Sequence, residues 1–203
     1  MRDELQPPFL ELSYFVGRET IEEAFELFLT SESEELRANK ARINNLIGVT
    51  EKQEILEARG GILNLRTEDQ IYDVPKKSLS ASDFKLGQKI YNRFLEVADL
   101  IDPIYGAILI EYTLEEPDEL ASAMRSLAFH DFFLSAECFS ESVVEAVVRS
   151  AGSAVYIERR PRGIYVSMSE VFNPNRSGIP GDDAEERSDQ IAEILGRALK
   201  STW

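Results

Sequence analysis

The sequence predicts an α/β or α+β fold, a single domain spanning 1–203 in which a mixed β-sheet is covered by helices. Three patterns carry this expectation. The run Phe9–Val16 (FLELSYFV) mixes aromatic and aliphatic residues and stops at Gly17, as a largely buried strand does. A long apolar stripe at helical spacing runs from Phe84 to Ile101. Near the C-terminus two alternating segments flank the tip Arg159-Arg160-Pro161-Arg162-Gly163, the pattern of a β-hairpin, and a terminal helix follows.

Taken in order, the first strand is followed by Thr20 and Glu23, spaced as a capping box, with Ile21, Ala24, Phe25 and Phe28 on one helical face. Leu36, Ile43 and Ile47 keep helical spacing up to Gly48, with Ser31 or Ser33 as cap, so a second helix is expected there. Residues 50–74 admit two readings. Thr50–Gln53 resembles another capping box, whereas Gly60-Gly61 suits a hairpin turn. The favoured reading is a short helix ended by Gly60 and a strand near Ile62–Arg66.

Ser80 or Ser82 starts the next helix, whose stripe is Phe84, Tyr91, Phe94, Leu95, Ala98 and Ile101 before Pro103 stops it. A strand from Ile104 (IYGAILIEYTL), a short helix after Pro117, a strand over Phe129–Phe139 and a helix over Ser140–Ala151 follow. Val155 and Ile157 then alternate against Ile164, Val166 and Met168 across the hairpin. Asn173–Gly181 reads as a loop, and Asp183 with Glu186 caps a helix striped by Ile191, Leu195, Ala198 and Leu199. A helical N-terminal lobe, 1–103, packed on an α+β C-terminal region, 104–203, is a possible subdivision.

A chain of 203 residues buries about 70% of its unfolded surface and needs no covalent staple. The single Cys138 can build neither an intramolecular disulfide nor an all-cysteine metal site, which suits a reducing compartment. The N-terminal MRDELQPPFLEL lacks the basic and apolar regions of a signal peptide, and no stretch approaches the ~20 apolar residues of a membrane span. A cytoplasmic protein is expected, with no membrane partner.

The net charge of −15 is unevenly spread: −7 over 1–58, 0 over 59–103, −8 over 104–145, +3 over 146–181 and −3 over 182–203. Nucleic acid is therefore not an expected ligand, because phosphate binding draws on clustered Lys and Arg.

The chemistry-bearing residues are few. His130 and Cys138, eight residues apart on one expected strand, would lie about 27 Å apart at ~3.4 Å per residue and could not act as base and nucleophile. No GxGxxG, GxxxxGK[ST] or GxSxG occurs. Glu111, Glu115, Glu116, Asp118 and Glu119 form the densest carboxylate cluster. Hard cations prefer such oxygens, yet acids around a first-turn proline are explained by the helix dipole alone. Arg159, Arg160 and Arg162 would clamp a phosphate or a partner's carboxylates, or pair with the acidic body. No catalytic residue, metal or cofactor is assigned.

The expected function is that of a non-enzymatic acidic binding protein, of the bacterial immunity or inhibitor type, that neutralises a basic protein partner. Its candidate contacts are Glu111, Glu115, Glu116, Asp118, Glu119, Arg159, Arg160 and Arg162. The segment 104–145, relieved only by Arg125, motivates this, since a single-sign patch accelerates capture of a basic partner. The alternatives are a metal-dependent enzyme using the Glu111 to Glu119 carboxylates, and a structural or assembly subunit suggested by the aromatic residues and Trp203.

Overall fold

A computed structural model describes residues 10–32, 46–49, 55–67, 80–110, 114–120, 131–152, 156–167, 172–173 and 184–200. Its centre is β1, Leu10–Phe15, all six residues of which are buried. Alternation sends Leu10, Leu12 and Tyr14 to one face of the sheet and Glu11, Ser13 and Phe15 to the other. Both faces must then be covered, and helices do this.

Among the described residues the sheet has eight strands. They are β1, β2 (Leu46–Val49), β3 (Ile55–Arg59), β4 (Ile62–Thr67), β5 (Tyr105–Ile110), β6 (Asp131–Ser135), β7 (Tyr156–Arg160) and β8 (Gly163–Ser167), in the order β2-β3-β4-β1-β5-β6-β8-β7. The mixed sheet expected from the sequence is antiparallel in every described pairing. Tight turns impose this at β3–β4 and β7–β8, because a short connection can only reverse the chain. The N-terminal half, expected as a helical lobe, is not purely helical: it supplies β1 to β4, and β1 joins them to β5.

On one face lie α1 (Ile21–Glu32) and α2 (Ala81–Ile101). Ile21, Ala24, Phe25, Phe28 and Leu29 of α1 join Ile90, Phe94, Leu95, Val97, Ala98 and Ile101 of α2 in one core. Tyr14 stacks on Phe94 with ring centroids 5.1 Å apart, and its hydroxyl donates to the Phe94 carbonyl at 3.0 Å. The opposite face carries α3 (Pro117–Leu120), α4 (Glu141–Ala151) and α5 (Ala184–Lys200), whose Leu120, Val144, Val147, Ile191, Leu195 and Leu199 pack on Phe132, Leu134, Ile164 and Val166.

The helix caps separate the α2 expectation from the α1 one. Ser80 heads α2 with a complete capping box to Asp83, and the backbone N–H and hydroxyl of Ser80 hold the Asp83 carboxyl below its usual range. Asp102 closes α2 in the left-handed region at φ 51°. Thr20, expected to form a capping box with Glu23, instead turns its hydroxyl back to donate to the carbonyls of Val16 and Gly17.

Other expectations also change. The helix favoured before Gly60 is strand β3, in which buried Leu56 and Ala58 alternate with Glu57 and Arg59. Gly60 turns the hairpin at φ +61°, and a Cβ on Gly61 would come within 2.6 Å of the Phe15 ring. Ile47, assigned to a helix by spacing, and Gly48, expected to end that helix, lie in β2, while Leu36 and Ile43 fall outside the described residues. The strand expected over Phe129–Phe139 is shorter, so Cys138 lies half-buried in the turn after β6. His130 and Trp203 are outside the described residues, as is the Asn173–Gly181 loop beyond Asn173.

Candidate functional site

The acidic cluster follows β5. Glu111 is outside the described residues; the other four acids surround the start of α3. Glu116 sits before Pro117, its carbonyl accepts from the N–H groups of Glu119 and Leu120, and its own N–H donates to Glu119 Oε2 at 3.3 Å. This is the geometry of a capped first turn. Glu115 contributes its backbone carbonyl, which accepts from the buried Tyr105 hydroxyl. Burial, and then the negative charges of Glu116, Glu115 and Glu119, push the Tyr105 phenol well above its ordinary range. Among the described residues no three His, Cys, Asp or Glu side chains converge to hold a metal ion.

The arginine tip is engaged with the acidic body. Arg159 donates to Glu141 Oε1 at 3.0 Å, and Arg162 Nη1 lies 3.2 Å from Asp102 Oδ2. Arg160 reaches both Asp99 and, at 2.7 Å, Glu158 Oε1, and its guanidinium is held above its ordinary range chiefly by Asp99. Pro161-Arg162 is the turn itself, while Arg159 and Arg160 belong to β7. The structure thus keeps the three arginines together on one hairpin but gives each a carboxylate of this chain.

Two buried polar networks accompany the sheet. Glu11 and Ser13 face Arg66 and Asn64 directly across β1 and β4, and Arg66 bridges Glu11 to Glu57. On the other face Asp131 accepts from the hydroxyls of Tyr165, at 2.6 Å, and Ser167. Nearby, Glu158 Oε2 accepts from Tyr91 and Tyr156, whose rings pack with Tyr165 and Phe172. Burial pushes the Glu158 carboxyl up, but donation from Tyr91, Arg160 and Tyr156 outweighs it and sets the group below its usual range. The Asp131 and Glu158 networks are hydrogen-bonded and so fix packing, whereas the buried Asn64 Oδ1 has no partner among the described residues.

The acids on α1 and in the turn before it carry no motif. Glu19, Glu22, Glu23 and Glu26 are exposed and, among the described residues, none makes a hydrogen bond or ion pair through its side chain. They precede Leu27, an exposed large apolar residue of the same helix with 43% of its surface accessible. Spacing puts them on the outer face because Ile21, Ala24, Phe25, Phe28 and Leu29 occupy the inner one. Glu22 and Glu23 also suit the positive end of the α1 dipole. The sequence signal for this face was the charge of −7 over residues 1–58.

A cavity of about 500 Å³ opens at the foot of that face. Phe15, Ile104 and Leu199 form its apolar wall, and Arg18, Glu19 and Glu116 stand at its rim. Asp118 of α3 also borders it and stands there together with Glu116 and with Glu19 from the turn before α1. Arg18 crosses the rim to Glu116, with Nε and Nη2 at 2.9 and 2.8 Å from Oε2.

No helix among the described residues is long and apolar enough to cross a membrane. No protein-family model matches the chain, and no curated protein matches it. Among solved structures it is similar to the Pseudomonas aeruginosa T6SS protein PA0821, at 11% identity and a TM-score of 0.41, over 98% of this chain and 76% of that one; so distant a likeness carries no argument.

Proposed function

We propose that this chain is a non-enzymatic binding protein of the inhibitor or immunity type, which takes a basic protein partner on its acidic surface. The observation that supports this reading is the contrast between its charges. The tip arginines have carboxylates of the chain itself, whereas Glu19, Glu22, Glu23 and Glu26 have no counter-charge among the described residues. Uncompensated like charges on one helix face repel one another, and a basic partner relieves that repulsion. Their field also steers such a partner into encounter. Leu27, exposed next to Glu26, offers the apolar contact that holds a complex once steering has formed it.

On this reading the contact surface is the outer face of α1, continued by Glu116, Asp118 and Glu119 across the cavity. It replaces the Arg159, Arg160 and Arg162 tip as the first place to look for a partner. The test is a pull-down from the native lysate with the wild-type chain and with the variant E22K/E23K/E26K. A protein of high pI retained by the wild type at low salt, released at high salt and absent from the variant is the expected result. Retention of no basic protein, or equal retention by both chains, refutes the reading.

A further inference from the structure

Resting on that reading, we infer that the cavity between the β1–α1 loop and α3 is a receptor for an arginine side chain of the basic partner, and that Arg18 occupies its mouth in the free protein. The cavity has the two features such a side chain needs. Its apolar wall of Phe15, Ile104 and Leu199 suits an aliphatic stem, which arginine buries while its charged head stays at the rim. The rim acids Glu19, Glu116 and Asp118 complement the head in sign.

Arg18 shows that the rim accepts a guanidinium. Its Nε and Nη2 both donate to Glu116 Oε2, although its side chain is 76% exposed and Glu116 only 20%. The acid is thus the fixed member of the pair and the arginine the displaceable one. An exposed pair of this kind is weak, because water solvates both charges and the long side chain loses rotamer freedom. A guanidinium arriving from outside, with its stem on the apolar wall, makes the same contact with Glu116 and adds burial that Arg18 does not supply. Gly60 lies close behind Glu116: a Cβ there would lie 2.2 Å from Glu116 Oε1, so only a glycine leaves that carboxylate its place.

The test uses N-acetyl-arginine amide as probe and N-acetyl-norleucine amide as its neutral counterpart, each titrated into the ¹⁵N-labelled full chain. The arginine probe is expected to shift the amide signals of Gly17, Arg18, Glu19 and Thr20, and the neutral one to leave them in place. R18A should tighten the arginine probe by roughly fivefold, and E116Q should weaken it by a similar factor, as exposed ion pairs allow. R149A removes the same charge from α4, whose Arg149 does not border this cavity, and should change nothing. The inference is overturned if R149A tightens the probe as much as R18A, if E116Q binds it unchanged, or if the Gly17 to Thr20 signals stay still. Loss of this titration with partner capture intact refutes the cavity alone. Equal capture by the α1 variant with an intact titration refutes the broader reading alone.

Discussion

Glu11 and Arg66 face each other directly across β1 and β4, and the wholly buried Glu11 carboxylate accepts from Arg66 Nε in the middle of the sheet. A carboxylate so placed depends on its guanidinium, because removing one partner of a buried pair leaves the other charge poorly compensated. Arg66 also separates Glu11 from Glu57, with Nη1 3.2 Å from Glu57 Oε2.

R66L is therefore expected to lower stability by about 3 kcal/mol or more, while the double variant E11L/R66L should recover much of that loss. Urea unfolding of the two variants beside the wild type measures both. A single variant as stable as the wild type would contradict this account of the sheet centre.

At the other end of the sheet, Gly163 faces Arg160 across the hairpin turn and lies against β6. A Cβ at this position would stand 2.2 Å from the Leu134 carbonyl oxygen and 2.5 Å from the Phe133 ring. The nearer obstacle is backbone, which cannot rotate away. G163A should cost about 3 kcal/mol, and thermal unfolding should show a Tm lower by roughly 6–12 °C for a chain of this size. An unchanged Tm would mean that β8 does not lie as close to β6 as described.

Glu158 gives a pH dependence with a definite sign. Its carboxyl lies below the usual range in the fold, because donation from Tyr91, Arg160 and Tyr156 outweighs burial. The stabilisation is fully present above the unfolded value of about 4.3 and is lost as pH falls through the folded-state pKa. The Tyr91 phenol, pushed up by burial and by Glu158, stays protonated at these pH values. Tm should drop on acidification below about pH 4, and E158Q should drop less steeply. Parallel acid limbs for the two proteins would contradict the assigned network.

Much of this fold was legible because burial wrote it into local pattern. Phe94, Leu95, Ala98 and Ile101 repeat at helical spacing and all lie in the core, as do Ile191, Leu195 and Leu199. Ile157 pairs with Val166, and Arg159 with Ile164, in the hairpin their alternation suggested. What was not legible depends on distant partners. Nothing local tells Leu56 and Ala58 to form a strand until Leu65 and Leu63 stand opposite them, and good helix formers nearby argue otherwise.

The same holds for the candidate site. Counting charge found the acids but not which of them lack a counter-ion. Arg18 is 98 positions from Glu116, and Arg160 is 61 from Asp99. Only the fold shows that the arginine tip is matched within the chain, and that Glu22, Glu23 and Glu26 on the outer face of α1, with Glu19 just ahead of them, have no counter-charge among the described residues.

That face is most directly tested by the association rate of the basic partner retained in the pull-down, measured against ionic strength for the wild type and for E22Q/E23Q/E26Q. If the α1 acids steer the encounter, the wild-type rate falls steeply between about 30 mM and 300 mM salt, as the screening length contracts, and the variant starts slower with a flatter dependence. Equal rates and equal salt slopes for the two chains would show that the partner does not use this face, and would contradict the account.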